Sequence, residues 1–300
     1  MINLPPGIDI NNLISDLKIF SWEASEILLN YARIIKDSDD KRKIIKNGNQ
    51  EDPVTLADLK VNEIIIKRIN EKYKNINWKI LSEENVKVNP CNYIINNDFV
   101  WILDPLDGTR DFLQGTENYC MQLSLNFKRI PYLGVVLIPE KDELWISNYK
   151  KVWCENKNGD FKKSNLSNKN NLKDMSIVTS KNHRNQTLKN LIEKIKFKEV
   201  IVMGSIGCKI ASILRGESDI YICLSLPGES TPKDWDFSAP AAILKAAGGA
   251  ITNLDNQELT YGNANFEQGG IIVASSNKII HKDICLEIKD VINKYDLYPN

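Results

Sequence analysis

The sequence predicts an α/β protein, with an α+β N-terminal half and an α/β C-terminal half. Three observations carry this prediction. Residues 9–36 and 55–74 repeat apolar positions at helical spacing. Residues 121–127, 131–138 and 143–147 read as the strands of an antiparallel meander. From residue 176 onward, strand and helix alternate, which is the pattern of layered α/β architecture.

In chain order, Ile10, Leu13, Ile14, Leu17, Phe20, Ala24, Ile27, Leu28 and Tyr31 mark the apolar face of the first helix. Residues 36–46 are charged and run into Asn47-Gly48-Asn49, which together predict a polar loop. The second helix turns Leu59, Ile64, Ile65, Ile66 and Ile69 inward and Lys60, Lys67 and Lys72 outward. A short strand is expected over 78–81, followed by Ser82-Glu83-Glu84 on a loop, and a buried strand over 99–103. Residues 156–171 are polar and rich in Lys and Asn. A domain boundary is expected near their end, giving units 1–171 and 172–300. Beyond it, strands are predicted at 176–179, 199–203, 219–224 and 271–274, with helices at 185–196, 207–215, 237–247 and 277–294.

Composition narrows the function. In 300 residues, 42% are hydrophobic and 26% charged, and 39 Lys plus Arg balance 39 Asp plus Glu, so no global basic field exists to hold a nucleic acid polymer. The N-terminus lacks a basic region followed by an apolar run, and no stretch reaches membrane-spanning length. The six cysteines, Cys91, Cys120, Cys154, Cys208, Cys223 and Cys285, include no C-x-x-C pair, which fits free thiols in a reducing compartment. The expectation is a soluble cytoplasmic protein, monomer or homodimer, acting on a small molecule.

The chemistry centres on residues 99–112, Phe-Val-Trp-Ile-Leu-Asp-Pro-Leu-Asp-Gly-Thr-Arg-Asp-Phe. An apolar strand stops at Asp104; Pro105 donates no amide hydrogen and Gly108 tolerates positive φ, so a turn is expected there. Such a turn aims the carboxylates of Asp104 and Asp107 into one pocket, with the Leu106 carbonyl and the Thr109 hydroxyl nearby. Hard oxygen donors of this kind suit Mg²⁺. The structural alternative is an acidic turn, for which Asp, Pro and Gly are ordinary residues.

Three further segments matter. Thr55 and Asp58 are spaced as a capping box before the second helix, with Asp in place of the usual Glu or Gln. Ser82-Glu83-Glu84 is an acidic pair after a strand. Asp234-Trp235-Asp236 introduces a helix, where Asp236 reads as an N-cap or first-turn acid. Each is explained structurally when taken alone. Together, Val54-Thr55-x-Ala57-Asp58, Ser82-Glu83-Glu84, Asp104-Pro-Leu-Asp107-Gly-Thr109 and Trp235-Asp236-x-x-Ala239-Pro240 resemble the inositol monophosphatase superfamily of Mg²⁺-dependent, lithium-sensitive phosphatases, in order and approximate spacing over nearly the whole chain.

The resemblance implies a layered αβαβα sandwich with the active site between its halves. It assigns Glu83, Asp104, the Leu106 carbonyl, Asp107 and Asp236 to two or three Mg²⁺ ions, with Glu84 a further acid nearby. It assigns Asp58 and Thr109 to activation of the attacking water. Clustered carboxylates would repel one another without cations, and Mg²⁺ in turn offsets the charge that protects phosphate monoesters from anionic nucleophiles. Gly108, Thr109 and Asp236 would also face substrate.

Gly108-Thr109-Arg110-Asp111-Phe112 is similar to the 3′(2′),5′-bisphosphate nucleotidase branch, as is Gly204-Ser205-Ile206-Gly207-Cys208-Lys209 before a helix, a seat for a second phosphate. That likeness points to Arg110, Ser205 and Lys209 as substrate contacts, with His183 of Ser180-Lys181-Asn182-His183 beside them; Lys181 and Asn182 depart from the branch's pattern. It implies release of the 3′-phosphate of 3′-phosphoadenosine 5′-phosphate to give AMP, and a link to sulfur assimilation. An inositol-phosphate or sugar-phosphate phosphatase is the nearest alternative, and a non-catalytic nucleotide-binding regulator comes from a different class. A P-loop, an EF-hand and a G-x-S-x-G nucleophile are all excluded by sequence. A haloacid-dehalogenase-type Asp-x-Asp is excluded too, because two residues separate the aspartates here.

Overall fold

The computed structural model describes residues 4–37, 45–48, 53–88, 97–181, 184–263 and 265–298. Two sheets dominate. The first has seven strands in sequential order: β3 (Lys79–Ser82), β4 (Phe99–Asp107), β5 (Cys120–Phe127), β6 (Ile130–Ile138), β7 (Glu143–Asn148), β8 (Lys151–Glu155) and β9 (Phe161–Lys162). β3 and β4 are parallel, and every later pair is antiparallel. The second sheet orders β11 (Glu199–Met203), β10 (Ser176–Ser180), β12 (Ile220–Leu224), β14 (Ile271–Ser275) and β13 (Ala250–Asn253). The first three are parallel, and β14 runs antiparallel to both β12 and β13.

Both sheets are covered on both faces, so their strands read as nearly unbroken apolar runs. Trp101 and Leu103 of β4 pack toward α1 (Ile10–Asp37) and α2 (Leu56–Lys72), while Val100 and Ile102 face the opposite way. There they meet α6 (Ile206–Arg215) and α7 (Asp234–Ala247), which also take Val178, Tyr221, Ile272 and Ala274 from the second sheet. The far face of that sheet, with Ile177, Ile220, Ile222 and Val273, is closed by α5 (Gln186–Ile195) and α8 (His281–Tyr295). The result is five layers, αβαβα. Because α6 and α7 lie between two sheets they have almost no polar face, and Ile206 to Leu214 of α6 are buried without interruption.

Several local expectations are corrected. The strand predicted over 99–103 continues to Asp107: a register irregularity between Asp104 and Asp107 absorbs one extra residue against Gln122 and Cys120. The acids at 83 and 84 are not on a loop but open a short helix, α3 (Glu83–Val88). α7 begins at Asp234, three residues before the expected start. Within the stretch read as polar loop, β1 (Ile45–Gly48) pairs with β2 (Pro53–Thr55), and the intervening residues lie outside those described. β8, β9 and β13 were not expected, and α8 starts at His281 rather than residue 277. The short helix α4 (Thr109–Leu113) follows Gly108, whose φ of 91° is the positive value anticipated for the turn.

The contact of α7 with the first sheet depends on Gly134 of β6. A Cβ there would lie 2.6 Å from the Ala242 Cβ and 2.8 Å from the Ala239 carbonyl oxygen. Gly134→Ala is therefore expected to push α7 off the sheet and lower unfolding stability by roughly 1–3 kcal/mol in urea titrations. An unchanged midpoint would show that α7 is free to shift.

Candidate active site

Three elements deliver the acids. The irregularity in β4 turns Asp104 and Asp107 to the same side, and the first turn of α7 brings Asp236 across from the C-terminal half. Ligand atoms of these three carboxylates lie within 4.8 Å of one another. Asp104 and Asp107 are buried. Glu83, at the start of α3, is close enough to act on both Asp104 and Asp236.

Each acid is also tied locally. Asp104 Oδ1 accepts the Leu106 amide at 3.0 Å. Asp236 Oδ2 accepts the Lys233 amide at 2.6 Å, closing the N-terminus of α7. Pro240, four residues on, has no amide hydrogen to give the Asp236 carbonyl. Glu83 pairs with Lys87 one turn later, at 2.9 Å. Asp107 Oδ2 is held by Gln122 Nε2 at 2.5 Å, the Ser205 hydroxyl at 2.7 Å and the Gly207 amide at 2.9 Å.

Asp58 and Thr109 meet beside this cluster. The Asp58 side chain completes the capping box, its Oδ2 accepting the Thr55 amide at 2.8 Å and the Thr55 hydroxyl at 2.5 Å. Oδ1 remains turned to Thr109, whose hydroxyl lies 3.4 Å away. That hydroxyl has one proton and a second acceptor, the Leu106 carbonyl, at 3.0 Å. The capping and chemical readings of Thr55 and Asp58 are thus compatible: one oxygen caps and the other faces the site.

The electrostatics are those of acids gathered away from water. Burial pushes Asp58 up to about 7. Asp104 and Asp236 are raised well above the usual carboxylate range, first by burial and then by repulsion from the surrounding acids. Oxygen-only donors under mutual repulsion are what a hard divalent cation relieves, so the residues present fit Mg²⁺.

The substrate-facing expectations fare differently. Thr109 and Arg110 open α4, and Arg110 Nε is buried without a hydrogen-bond partner among the described residues. The close approach at Gly108 is real: a Cβ would lie 2.8 Å from the Asn118 carbonyl oxygen and 3.1 Å from the Ser205 Cβ. Ser205 and Lys209 are turned inward. The Ser205 hydroxyl donates to Asp107 and accepts the Cys208 amide at 3.0 Å. Lys209 is 2% exposed, and its Nζ donates to the Ser205 carbonyl at 3.2 Å above the Tyr221 ring. Burial lowers its pKa. His183 lies outside the described residues.

Gln122 escaped the sequence reading. Its signal was the polar series Gln122, Ser124, Asn126 at alternate positions of a strand that is otherwise apolar. All three are buried on the face toward α7, where Ser124 and Asn126 bond Ser238 at 2.7 and 2.8 Å.

Comparison with known proteins agrees with this geometry. The sequence model of the inositol monophosphatase family matches residues 13–293. The 3′(2′),5′-bisphosphate nucleotidase CysQ of Buchnera aphidicola subsp. Acyrthosiphon pisum is 35% identical over 214 residues, covering 71% of this chain and 74% of that protein. Inositol monophosphatase 3 of Solanum lycopersicum is 24% identical, covering 78% and 86%. Among solved structures, the Thermotoga maritima IMPase superposes with a TM-score of 0.72 at 20% identity, covering 95% of this chain and 99% of that one. Among the described residues, no helix is long and apolar enough to cross a membrane. This chain belongs to the inositol monophosphatase family of metal-dependent phosphatases.

Proposed function

We propose that the protein is a Mg²⁺-dependent 3′(2′),5′-bisphosphate nucleotidase that hydrolyses the 3′-phosphate of 3′-phosphoadenosine 5′-phosphate to AMP and phosphate. The observation that carries the phosphatase chemistry is the convergence of Asp104, Asp107 and Asp236 beside the Asp58–Thr109 pair. In this reading Glu83, Asp104, Asp107, Asp236 and the Leu106 carbonyl hold Mg²⁺. The bound ion supplies Lewis acidity, neutralising phosphate charge and lowering the pKa of water.

The chain's own groups do the rest. Asp58 Oδ1, the oxygen not spent on capping, accepts a proton from the attacking water through the Thr109 hydroxyl. Its pKa of about 7 suits a general base near neutral pH. Water oxygen bonds to phosphorus, the bond to the ribose 3′-oxygen breaks, and that oxygen takes a proton from solvent as it leaves. The burial of the acids keeps bulk water from screening the charges involved.

The nucleotide assignment is supported by the bisphosphate-nucleotidase name of the Buchnera relative and by Arg110, whose buried Nε, without a partner among the described residues, is a donor suited to a second phosphate. Lys209 is a weaker candidate for that phosphate because its ammonium is spent inside the fold. Hydrolysis of inositol 1-phosphate is the second reading, favoured by the tomato relative and by the fold neighbour.

Phosphate release from 3′-phosphoadenosine 5′-phosphate, inositol 1-phosphate and fructose 1,6-bisphosphate separates these readings. A kcat/KM at least about tenfold higher for the nucleotide is expected, with Arg110→Ala removing most of that preference. Equal or better turnover of inositol 1-phosphate would overturn the nucleotide assignment. Asp104→Asn is expected to cut kcat by several orders of magnitude, and wild-type turnover in that variant would end the metal-site reading.

The raised carboxylates also predict a pH signature. Where a folded-state pKa lies above the unfolded one, the native state binds the extra proton, so stability is lost as pH rises between the two values. For Asp58 that window runs from the ordinary 3.8 to about 7, and Asp104 and Asp236 act in the same sense. Metal-free protein should therefore melt at lower temperature at about pH 8 than at about pH 5.5, and the rise in Tm on adding Mg²⁺ should grow with pH. A Mg²⁺ shift that is flat with pH would contradict it.

A further inference from the structure

Asp107 differs from the other acids of the cluster in how it is held. Four donors converge on a single oxygen, Oδ2: Gln122 Nε2 from β5, the Ser205 hydroxyl and Gly207 amide from the start of α6, and, more distantly at 3.7 Å, the Cys120 thiol. Among the described residues no donor is assigned to Oδ1. A carboxylate gripped in this way cannot rotate about its last bond, and its free oxygen has one direction.

The grip itself is over-determined. Ser205 has φ 51° and ψ 126°, a backbone region that residues with a side chain rarely adopt and that persists only where surroundings enforce it. The enforcement is visible. The Ser205 hydroxyl accepts the Cys208 amide, and its carbonyl accepts both the backbone amide and the Nζ of Lys209, at 3.3 and 3.2 Å. With its acceptor side on Cys208, the hydroxyl has its proton for Asp107. Gly207 allows its amide to approach because it has no Cβ; one would lie 2.4 Å from Cys120 Sγ. The Gln122 amide is oriented by the same carboxylate, since its oxygen turned toward Asp107 would be repelled. Its Oε1 is left buried without a partner among the described residues, an acceptor sacrificed to that orientation.

We propose that Gln122 and Ser205 are positioning residues that fix Asp107 as a preset metal ligand, turning Oδ1 toward Asp104 and Asp236 before any cation arrives. This rests on the reading of Asp107 as a ligand, and it gives Ser205 a task other than contact with substrate. Both side chains are neutral, so removing them changes the orientation of the ligand and leaves the charge of the site as it was. Groups that orient a ligand from behind in this way typically govern metal affinity about 10- to 100-fold.

The test is calorimetric titration of Mn²⁺ into metal-free wild-type protein, Gln122→Met, Ser205→Ala, the double variant and Asp107→Asn, each checked by circular dichroism for an unchanged fold. Each single variant is expected to bind Mn²⁺ about tenfold more weakly. The double variant should lose less than the product of the two, because both groups act on one oxygen. At saturating metal, KM for the phosphorylated substrate should stay at the wild-type value. Wild-type Mn²⁺ affinity in both single variants, with or without a lower Tm, overturns the proposal. So does a raised KM in Ser205→Ala with unchanged Mn²⁺ affinity, which would return that hydroxyl to substrate. Loss of binding in Asp107→Asn alone removes the clamp and keeps the metal site, whereas wild-type binding in Asp107→Asn removes the metal-site reading itself.

Discussion

Asp104, Asp107 and Asp236, with Glu83 beside them, are drawn together where water is scarce, and that mutual repulsion sets the terms for the rest of the structure. Asp104 and Asp236 are driven upward first by burial and then by repulsion from Glu83 and Asp107. A protein retains such an arrangement only if the surrounding fold holds it together, since charged groups left to themselves would turn to solvent. The restraint comes from several directions. An irregular strand end presents two aspartates, the first turn of a helix between the sheets presents the third, and a short helix at the rim presents the glutamate.

The middle layer is the mechanical centre of this arrangement. α7 lies against the first sheet so closely that Gly134 has no room for a Cβ. Its N-terminus is fixed by Asp234, whose carboxylate accepts the Gly262 amide at 2.5 Å and Gln268 Nε2 at 2.7 Å. α6, the other helix of that layer, begins at Ser205 and Gly207 and reaches into the first half through Asp107. Gly204, just before it, lies against Asp111 of α4, where a Cβ would fall 2.0 Å from Oδ2. Glycines at 108, 204 and 207 therefore let the end of β4 with the turn after it and the start of α6 meet backbone to side chain. Thr55 and Asp58 meet Thr109 from the α2 side, so one carboxylate both caps a helix and faces the candidate site.

The family motifs were legible in the sequence because each is local. Asp-Pro-Leu-Asp-Gly-Thr carries its own turn chemistry in Pro105 and Gly108, Thr55 and Asp58 carry a helix start, and Asp236 lies in the first turn of α7. The helices of the outer layers were equally legible, because one polar and one apolar face imprint a 3.6-residue period. Elements without such an imprint were missed or misplaced. β1, β9 and β13 are two to four residues long, too short to register a period, and the start of α7 was masked by Asp234, a charged residue that is fully buried. The end of β4 was placed too early because Asp104 and Pro105 break the apolar run, although the strand pairing continues past them through an irregularity.

The sequence by itself determined the layered α/β architecture, which follows from periodicity, and the family, whose four short motifs are each local in the chain; the resemblance then implied which acids are the candidate ligands. Only the tertiary structure decided what each side chain near those acids is engaged with. Ser205 and Lys209 carry a phosphate-seat pattern in sequence, yet one is turned onto Asp107 and the other is buried over Tyr221. Gln122 is one polar residue in an otherwise apolar strand, yet it grips the same carboxylate as Ser205, at the start of a helix far along the chain. The reason is physical: hydrogen-bond direction is set by contacts between segments far apart in the chain, and a sequence motif specifies a donor without specifying the acceptor it will meet.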